Sequence, residues 1–389
     1  MTTEQKLMLS SLRSAVTGCP LDTVSAEVDW QQFAYQSGIQ SVGPLVWQGL
    51  QSAPGLLSKI PAGISAAFRM SYLNAYKRDT QQEHLRGVLT EELNRLAVPH
   101  IYLKGSAIQS SYPEPALRTM SDIDLLVYAA DFQKIREAAS RLGAVPVSGD
   151  GNHRIYIFPG DLKVEFHPNM LHHDTAVGTR INPGWQYARK LEDTYRQELT
   201  PEGLYLNLIC HLAGHFIGNG VTARFLADIW VFRHRRKPEP DWTSVEKSLD
   251  EIGLAEFARN IAALSEVWFS DSPYTPVTEE LEDYVLSFVR EEDSDRSVLN
   301  AMSLSPGKSR ISALRKRAFY SRAEMEDRYP WCRGKAWLLP AAWCARAFRA
   351  VTTHGIHIRR WVQKTKTFSR DDVSRQAELL DRFGLRPDL

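Results

Sequence analysis

Cysteine is scarce in this 389-residue chain, and the four present, Cys19, Cys210, Cys332 and Cys344, lie scattered with no Cys-x-x-Cys pair. That excludes a disulfide framework and a thiolate zinc site. Long apolar runs are missing: no stretch approaches the roughly 20 residues that cross a bilayer. A basic segment followed by an apolar run is missing from the N-terminus, so no signal peptide is expected. No internal repeat appears at the periods that mark solenoids. Together these absences lead us to expect a reduced, cytoplasmic chain. Its 43% hydrophobic and 24% charged residues are ordinary for a globular protein, and its length allows two or three domains.

Net charge is also nearly absent, at +1. That value conceals an asymmetry, because Pro306 to Arg370 holds 16 lysines and arginines against three acids. Either these cations pair with the acidic remainder of the chain or they meet an anionic partner. The clusters Arg315-Lys316-Arg317 and Arg359-Arg360, with Phe319, Tyr320, Tyr329 and Trp331 interleaved, would suit phosphates and bases as well as packing. The apolar run Ala336–Ala345, broken by Pro340, is expected to pack on the protein.

Residues 1–97 read as helical. Met8, Leu9, Leu12 and Val16 follow helical spacing, and Ala66–Leu96 forms a long stretch carrying Phe68, Tyr72, Tyr76, Leu85, Leu89, Leu93 and Leu96. Val98-Pro99 stops it. From His100 the pattern changes to short strands and turns: His100–Leu103, then Lys104-Gly105-Ser106 turning into a short helix over Ala107–Ser111, then Ser121-Asp122-Ile123-Asp124-Leu125-Leu126-Val127. Asp131–Leu142 reads as an amphipathic helix stopped by Gly143, and Ala144–Val147, Arg154–Phe158 and Leu162–His167 as strands. Beyond Asn169 helices return, among them Leu204–Arg236, an acidic segment 278–297 with Leu281, Val285, Phe288 and Val289 inward, and a last helix from Ser369 that ends before Gly384.

In a strand, side chains at i and i+2 share a face. Asp122 and Asp124 therefore project together, with Ile123 and Leu125 turned toward core. An Asp-x-Asp is common at a polar strand end, but two like charges side by side also suit a shared cation, and carboxylates are the hard ligands Mg²⁺ takes. Leu162-Lys163-Val164-Glu165-Phe166-His167 alternates strictly, so Glu165 offers a third carboxylate on a strand able to lie beside the first. A Gly-Ser turn opening a helix presents backbone N–H groups to anions. His211 and His215 lie four apart on one helical face, as a packed pair or as two zinc ligands. The metalloprotease form needs Glu at 212, where this chain has Leu. His172-His173 reads as a solvated turn.

Leu103-Lys104-Gly105, Arg118, Asp122-Ile123-Asp124-Leu125-Leu126-Val127 and Val164-Glu165-Phe166-His167 resemble the uncharacterised nucleotidyltransferase family of the DNA polymerase β superfamily. The resemblance covers about 70 residues. Its pattern is a Gly-Ser turn, an Asp-x-Asp on the next strand and a third acid on a later one. The gap from Ser106 to Asp122 is longer than in compact members and contains Arg118.

The resemblance implies an α+β fold: a nucleotidyltransferase-like mixed β-sheet with covering helices in residues 98–175, flanked by helical regions 1–97 and 176–389. It implies transfer of a nucleotidyl group from an NTP, ATP foremost, to an unknown hydroxyl or phosphate acceptor. Mg²⁺, with Mn²⁺ as a substitute, would be held by Asp122, Asp124 and Glu165, the last as ligand or as general base. Lys104 and Arg118 would meet the triphosphate or form structural salt bridges. Members of the family also tend to carry substrate-facing histidines with an Asp on the following helix, which His211, His215 and Asp228 match. The alternatives are a catalytically inactive nucleotide-binding regulatory protein, kinase-like phosphoryl transfer, and a metal hydrolase built on His211 and His215. The acceptor could be a phosphorylated small molecule, a peptide or a nucleic acid.

Overall fold

The structure, a computed structural model, describes the chain except for residues 22–26, 148–152, 172–180, 183, 219, 288–292, 306, 308 and 387–389. His172-His173, Phe288, Val289 and Lys308 lie outside the described residues, as do the side chains of Lys316 and Arg317.

The N-terminal region folds as helices α1 (Thr3–Thr17), α2 (Trp30–Ile39), α3 (Gly43–Leu50), α4 (Pro54–Leu57) and α5 (Ala62–Arg95). Thr2 and Gln5 form a capping box on α1 that satisfies two of its orphan N–H groups. Helix α5 runs on without interruption and stops where Ala97 takes a left-handed φ of 52° ahead of Pro99. Its inner stripe, Leu85, Leu89 and Leu93, is at most 6% exposed. Each such side chain contributes roughly 1.5–3 kcal/mol by leaving water.

A seven-stranded mixed sheet follows, in the order β3-β4-β5-β2-β1-β7-β6. Strand β1 is His100–Tyr102, β2 Asp122–Val127, β3 Val145–Val147, β4 Arg154–Phe158, β5 Leu162–His167, β6 Ala188–Lys190 and β7 Arg196–Leu199. Between β1 and β2 lies the short helix α6 (Lys104–Ile108), and between β2 and β3 lies α7 (Phe132–Arg141). Ile123, Leu125, Val164 and Phe166 are fully buried on one face against Leu89 and Leu93 of α5 and Ile135 and Ala139 of α7. The expected covering of a mixed sheet by helices is what the structure has.

The expectation of helices alone beyond Asn169 is corrected by β6 and β7, which extend the sheet as β7 pairs parallel to β1. These strands are three and four residues long and largely charged, too short for alternation to show. Leu204–Arg236 is two helices, α8 (Pro201–Gly218) and α9 (Ala223–Arg235), parted where Gly220 takes a φ of +79°. Helix α8 buries apolar residues around most of its circumference, the mark of a central helix. The last helix, Arg370–Arg382, is capped by Ser369 and Asp372 as a capping box. The apolar run Ala336–Ala345 is only half packed. Ala342 is buried, whereas Trp337, Ala341, Cys344 and Ala345 are exposed, because the helix it begins presents one face to its own cluster and the other to solvent.

Candidate active site

Strands β2 and β5 run parallel with Asp122 opposite Lys163, Asp124 opposite Glu165 and Leu126 opposite His167. That register brings all three sequence-predicted acids to one sheet face, away from the core formed by Ile123, Leu125, Val164 and Phe166. Asp124, Glu165 and His167 offer ligand atoms within 4.8 Å of one another, the one such grouping of His, Cys, Asp and Glu among the described residues. Asp122 sits at the rim, its side chain 30% exposed, accepting from Ser121 Oγ at 3.0 Å.

Two lysines and a histidine share the face. Lys104 Nζ donates to Asp124 Oδ1 at 2.7 Å, and His167 Nε2 lies 2.8 Å from the same oxygen and 3.3 Å from Glu165 Oε2. Lys163 pairs with Glu165 and reaches Asp122 at 3.4 Å. Burial by itself would raise the Asp124 carboxyl, but Lys104 and His167 outweigh it and hold the group well below the usual carboxylate range. Burial likewise opposes ionisation of Glu165, and hydrogen bonds from His167 and Lys163 bring it down to about 2.

Lys104 reaches Asp124 from a backbone with φ of 50°, a left-handed conformation that costs a non-glycine residue roughly 1–2 kcal/mol. Its amide donates to Asn207 Oδ1 of α8 at 3.2 Å. The short helix starts at Lys104 rather than Ala107. Gly105 and Ser106 are thus part of its first turn and not an open loop. A Cβ at Gly105 would run into Arg118 Nη1 and Met120 Sδ, so glycine is needed there for close packing. Ser106 Oγ turns to Met120 Sδ at 3.7 Å.

Arg118 is held by a carboxylate. It is 5% exposed, and its Nε and Nη2 donate to Asp228 at 3.0 and 2.6 Å. Tyr112 Oη completes the set on Asp228 Oδ1 at 2.7 Å. Arg118 thus forms a buried salt bridge with Asp228, and both residues also line the cleft beside the acids.

A cleft lined by Lys104, Arg118, Asp122 and Asp124 and by Leu208, His211 and Arg224 of α8 and α9 opens over the two aspartates. His211 and His215 pack edge to face, 4.5 Å between ring centres. Burial, then Lys104, pushes both imidazoles down, His215 to about 4 and His211 well below its ordinary value. Neither joins a third His, Cys, Asp or Glu in a metal grouping among the described residues. Arg224 went unremarked in the sequence. Its side chain donates to the Thr119 carbonyl at 3.0 Å, while its Nε is buried with no acceptor among the described residues. Burial and then Arg118 bring its guanidinium down to about 10. The signal was available: Arg224 precedes Asp228 by one helical turn and so shares its face.

The depressed carboxyls make the fold acid-sensitive. Both are ionised and paired when folded, so their contribution is fully present above the unfolded values of 4.5 for Glu165 and 3.8 for Asp124. It is lost as pH falls through that range toward about 2. Thermal melts between pH 6 and 3 should show a steep fall in Tm for the wild type and a shallower one for Glu165→Gln. Parallel curves would mean that the carboxyl is not held by Lys163 and His167.

No curated protein and no solved structure matches the chain. A family of uncharacterised nucleotidyltransferases matches residues 26–270, a span that contains the whole sheet, the three acids and helices α8 and α9. The match covers more than half of the sequence, and the chain belongs to that family.

Proposed function

We propose that the protein is a divalent-metal-dependent nucleotidyltransferase that moves a nucleotidyl group from an NTP, ATP foremost, to an acceptor hydroxyl or phosphate. The observation carrying this reading is the β2–β5 register, which sets Asp124 beside Glu165 with Asp122 one strand step away. The donor set fits Mg²⁺ or Mn²⁺, since carboxylate oxygens are the ligands these hard cations take, and Asp122, Asp124 and Glu165 would hold it. When bound, the cation would supply charge neutralisation at the phosphates and favour ionisation of the attacking group.

The chain's own residues position and neutralise. Lys104 and Arg224, which both line the cleft, would receive phosphate oxygens, Lys104 by exchanging Asp124 for the substrate. His211 and His215, kept neutral by burial, would face the nucleotide as hydrogen-bonding rather than charged groups. A carboxyl at about 2 is a weak proton acceptor, which supports Glu165 as a ligand in preference to a general base. In the reaction the acceptor oxygen bonds to the α-phosphorus as the bond to the bridging oxygen breaks. Pyrophosphate leaves with the electron pair, and the acceptor proton passes to solvent. The core 98–175 would act with helices from both flanking regions, and the site would serve a cytoplasmic reaction.

One feature favours a second reading, a nucleotide-binding regulatory protein without turnover: Lys104 and Lys163 already compensate the acids. Incubation with Mg²⁺ and each NTP labelled at the α or γ position, with and without cell extract, separates the two. Label transferred from the α position is the expected result. Transfer of the γ label would make the protein kinase-like, and saturable binding without transfer would make it a binder.

A further inference from the structure

Past the family match, which ends at residue 270, the chain builds a second feature unrelated to the acids. From Arg328 to Arg370 it contains no Asp or Glu. This stretch includes the helix Leu339–Lys364 and the turn Ala336–Leu338 that leads into it. One side of the helix start is packed: Ala342 is buried with Met325 and Cys332, and Trp343 lies against them. The opposite side carries Trp337, Ala341, Cys344, Ala345 and Phe348, all exposed. Their spacing of four, seven, eight and eleven residues is that of one helical stripe. Trp337 is 76% exposed and Phe348 74%, and upstream Ile311 is 79%. These are the three most exposed large hydrophobic side chains described. Lys335, Arg359 and Arg360 are exposed on the same segment.

We propose that this segment docks on an anionic phospholipid surface, the apolar stripe entering the interface and the cations meeting the headgroups. No helix described is long and apolar enough to cross a membrane, and a basic helix with Trp and Phe on its apolar face lies in the interface plane instead. Charge complementarity selects the partner. A second copy of this chain would bring the same acid-free, basic face against itself across a two-fold. Nucleic acid would engage the arginines and rings but has no use for a stripe completed by Ala341 and Ala345. A lipid surface takes both at once.

The test mixes the full chain with vesicles of phosphatidylcholine alone or with phosphatidylglycerol added, and pellets them. Binding to the anionic vesicles alone is expected, and it should weaken as salt rises from about 50 to 500 mM, as the Debye length shrinks. Lys335→Gln/Arg359→Gln/Arg360→Gln should bind roughly 10²-fold more weakly, and Trp337→Ser/Phe348→Ser at least about tenfold more weakly. All these positions are exposed, and unchanged circular dichroism would exclude misfolding. Equal binding to neutral and anionic vesicles, binding to neither, or full retention by Trp337→Ser/Phe348→Ser would overturn the proposal. So would random-sequence single-stranded RNA that displaces the vesicles, or a dimer abolished by Trp337→Ser/Phe348→Ser.

Discussion

Asp124→Asn is expected to lower α-label transfer by at least about 10³-fold per folded molecule, the scale of several kcal/mol of lost charge stabilisation. Asp124 is the acid most deeply placed, 4% exposed, opposite Glu165 in register and within the grouping of candidate ligand atoms. Asparagine keeps the shape and one acceptor but removes the charge that a hard cation requires. The same change should also loosen the fold, because Lys104 and His167 both address Asp124 and Lys104 would lose its ion-pair partner. Asp122→Asn should leave stability within about 1 kcal/mol, as expected of a half-exposed pair, while also losing transfer. Rates must therefore be normalised to the folded fraction, read by circular dichroism in the same samples. Transfer by Asp124→Asn within tenfold of wild type would remove Asp124 from the metal site.

The two substitutions show what the sequence could and could not convey. From sequence alone, Asp122 and Asp124 read as two like charges side by side, suited to a shared cation. The period-2 rule placed them on one face correctly, since β2 spans Asp122–Val127 with Ile123 and Leu125 buried behind. What it could not supply was the company they keep. Lys104 comes from the start of α6 and Lys163 and His167 from a strand about 40 residues on, which the parallel β2–β5 pairing sets beside the acids. Repulsion is thus already compensated in the folded chain.

Local signals gave β4 and β5 to the residue and α5 and α7 to within a few residues, because these elements have strong periodicity and clear stops such as Gly143, with its φ of +73°. Strands β6 and β7 were missed because each is short and polar, β7 forming on the open edge of β1 and β6 on β7. The same limit applies at the site. Carboxylates in a strand pattern announce themselves, whereas a cation's role depends on which acid folds against it. In the sequence Arg118 is open to the triphosphate or to a structural bridge, and its pairing with Asp228 comes from the fold alone. Arg224, left without a carboxylate bonded to it among the described residues, carried no sequence mark beyond its turn of separation from Asp228.

Breaking the Arg118–Asp228 pair should produce the largest loss of stability of any single substitution at the site. The pair is 7% and 3% exposed at its side chains, doubly hydrogen-bonded and joined by Tyr112. It ties the loop before β2 to α9, and so sets the acidic strand against the helix that bears Arg224. Burial opposes the charge on Arg118, and Asp228 more than restores it. Removing one member leaves the other buried and uncompensated, which typically costs about 3–5 kcal/mol, a large fraction of the roughly 5–15 kcal/mol that holds a domain folded. Arg118→Met and Asp228→Leu should each lower the unfolding free energy read from urea titration by that amount. Tyr112→Phe, which deletes one hydrogen bond to a charged acceptor, should cost about 1.5–3 kcal/mol. The double variant Arg118→Met/Asp228→Leu should recover much of the loss, because apolar groups of similar volume need no partner. It should still bind NTP, since Lys104 and Arg224 remain. A double variant as stable as wild type that no longer binds NTP would return Arg118 to the phosphates and take the structural role from it.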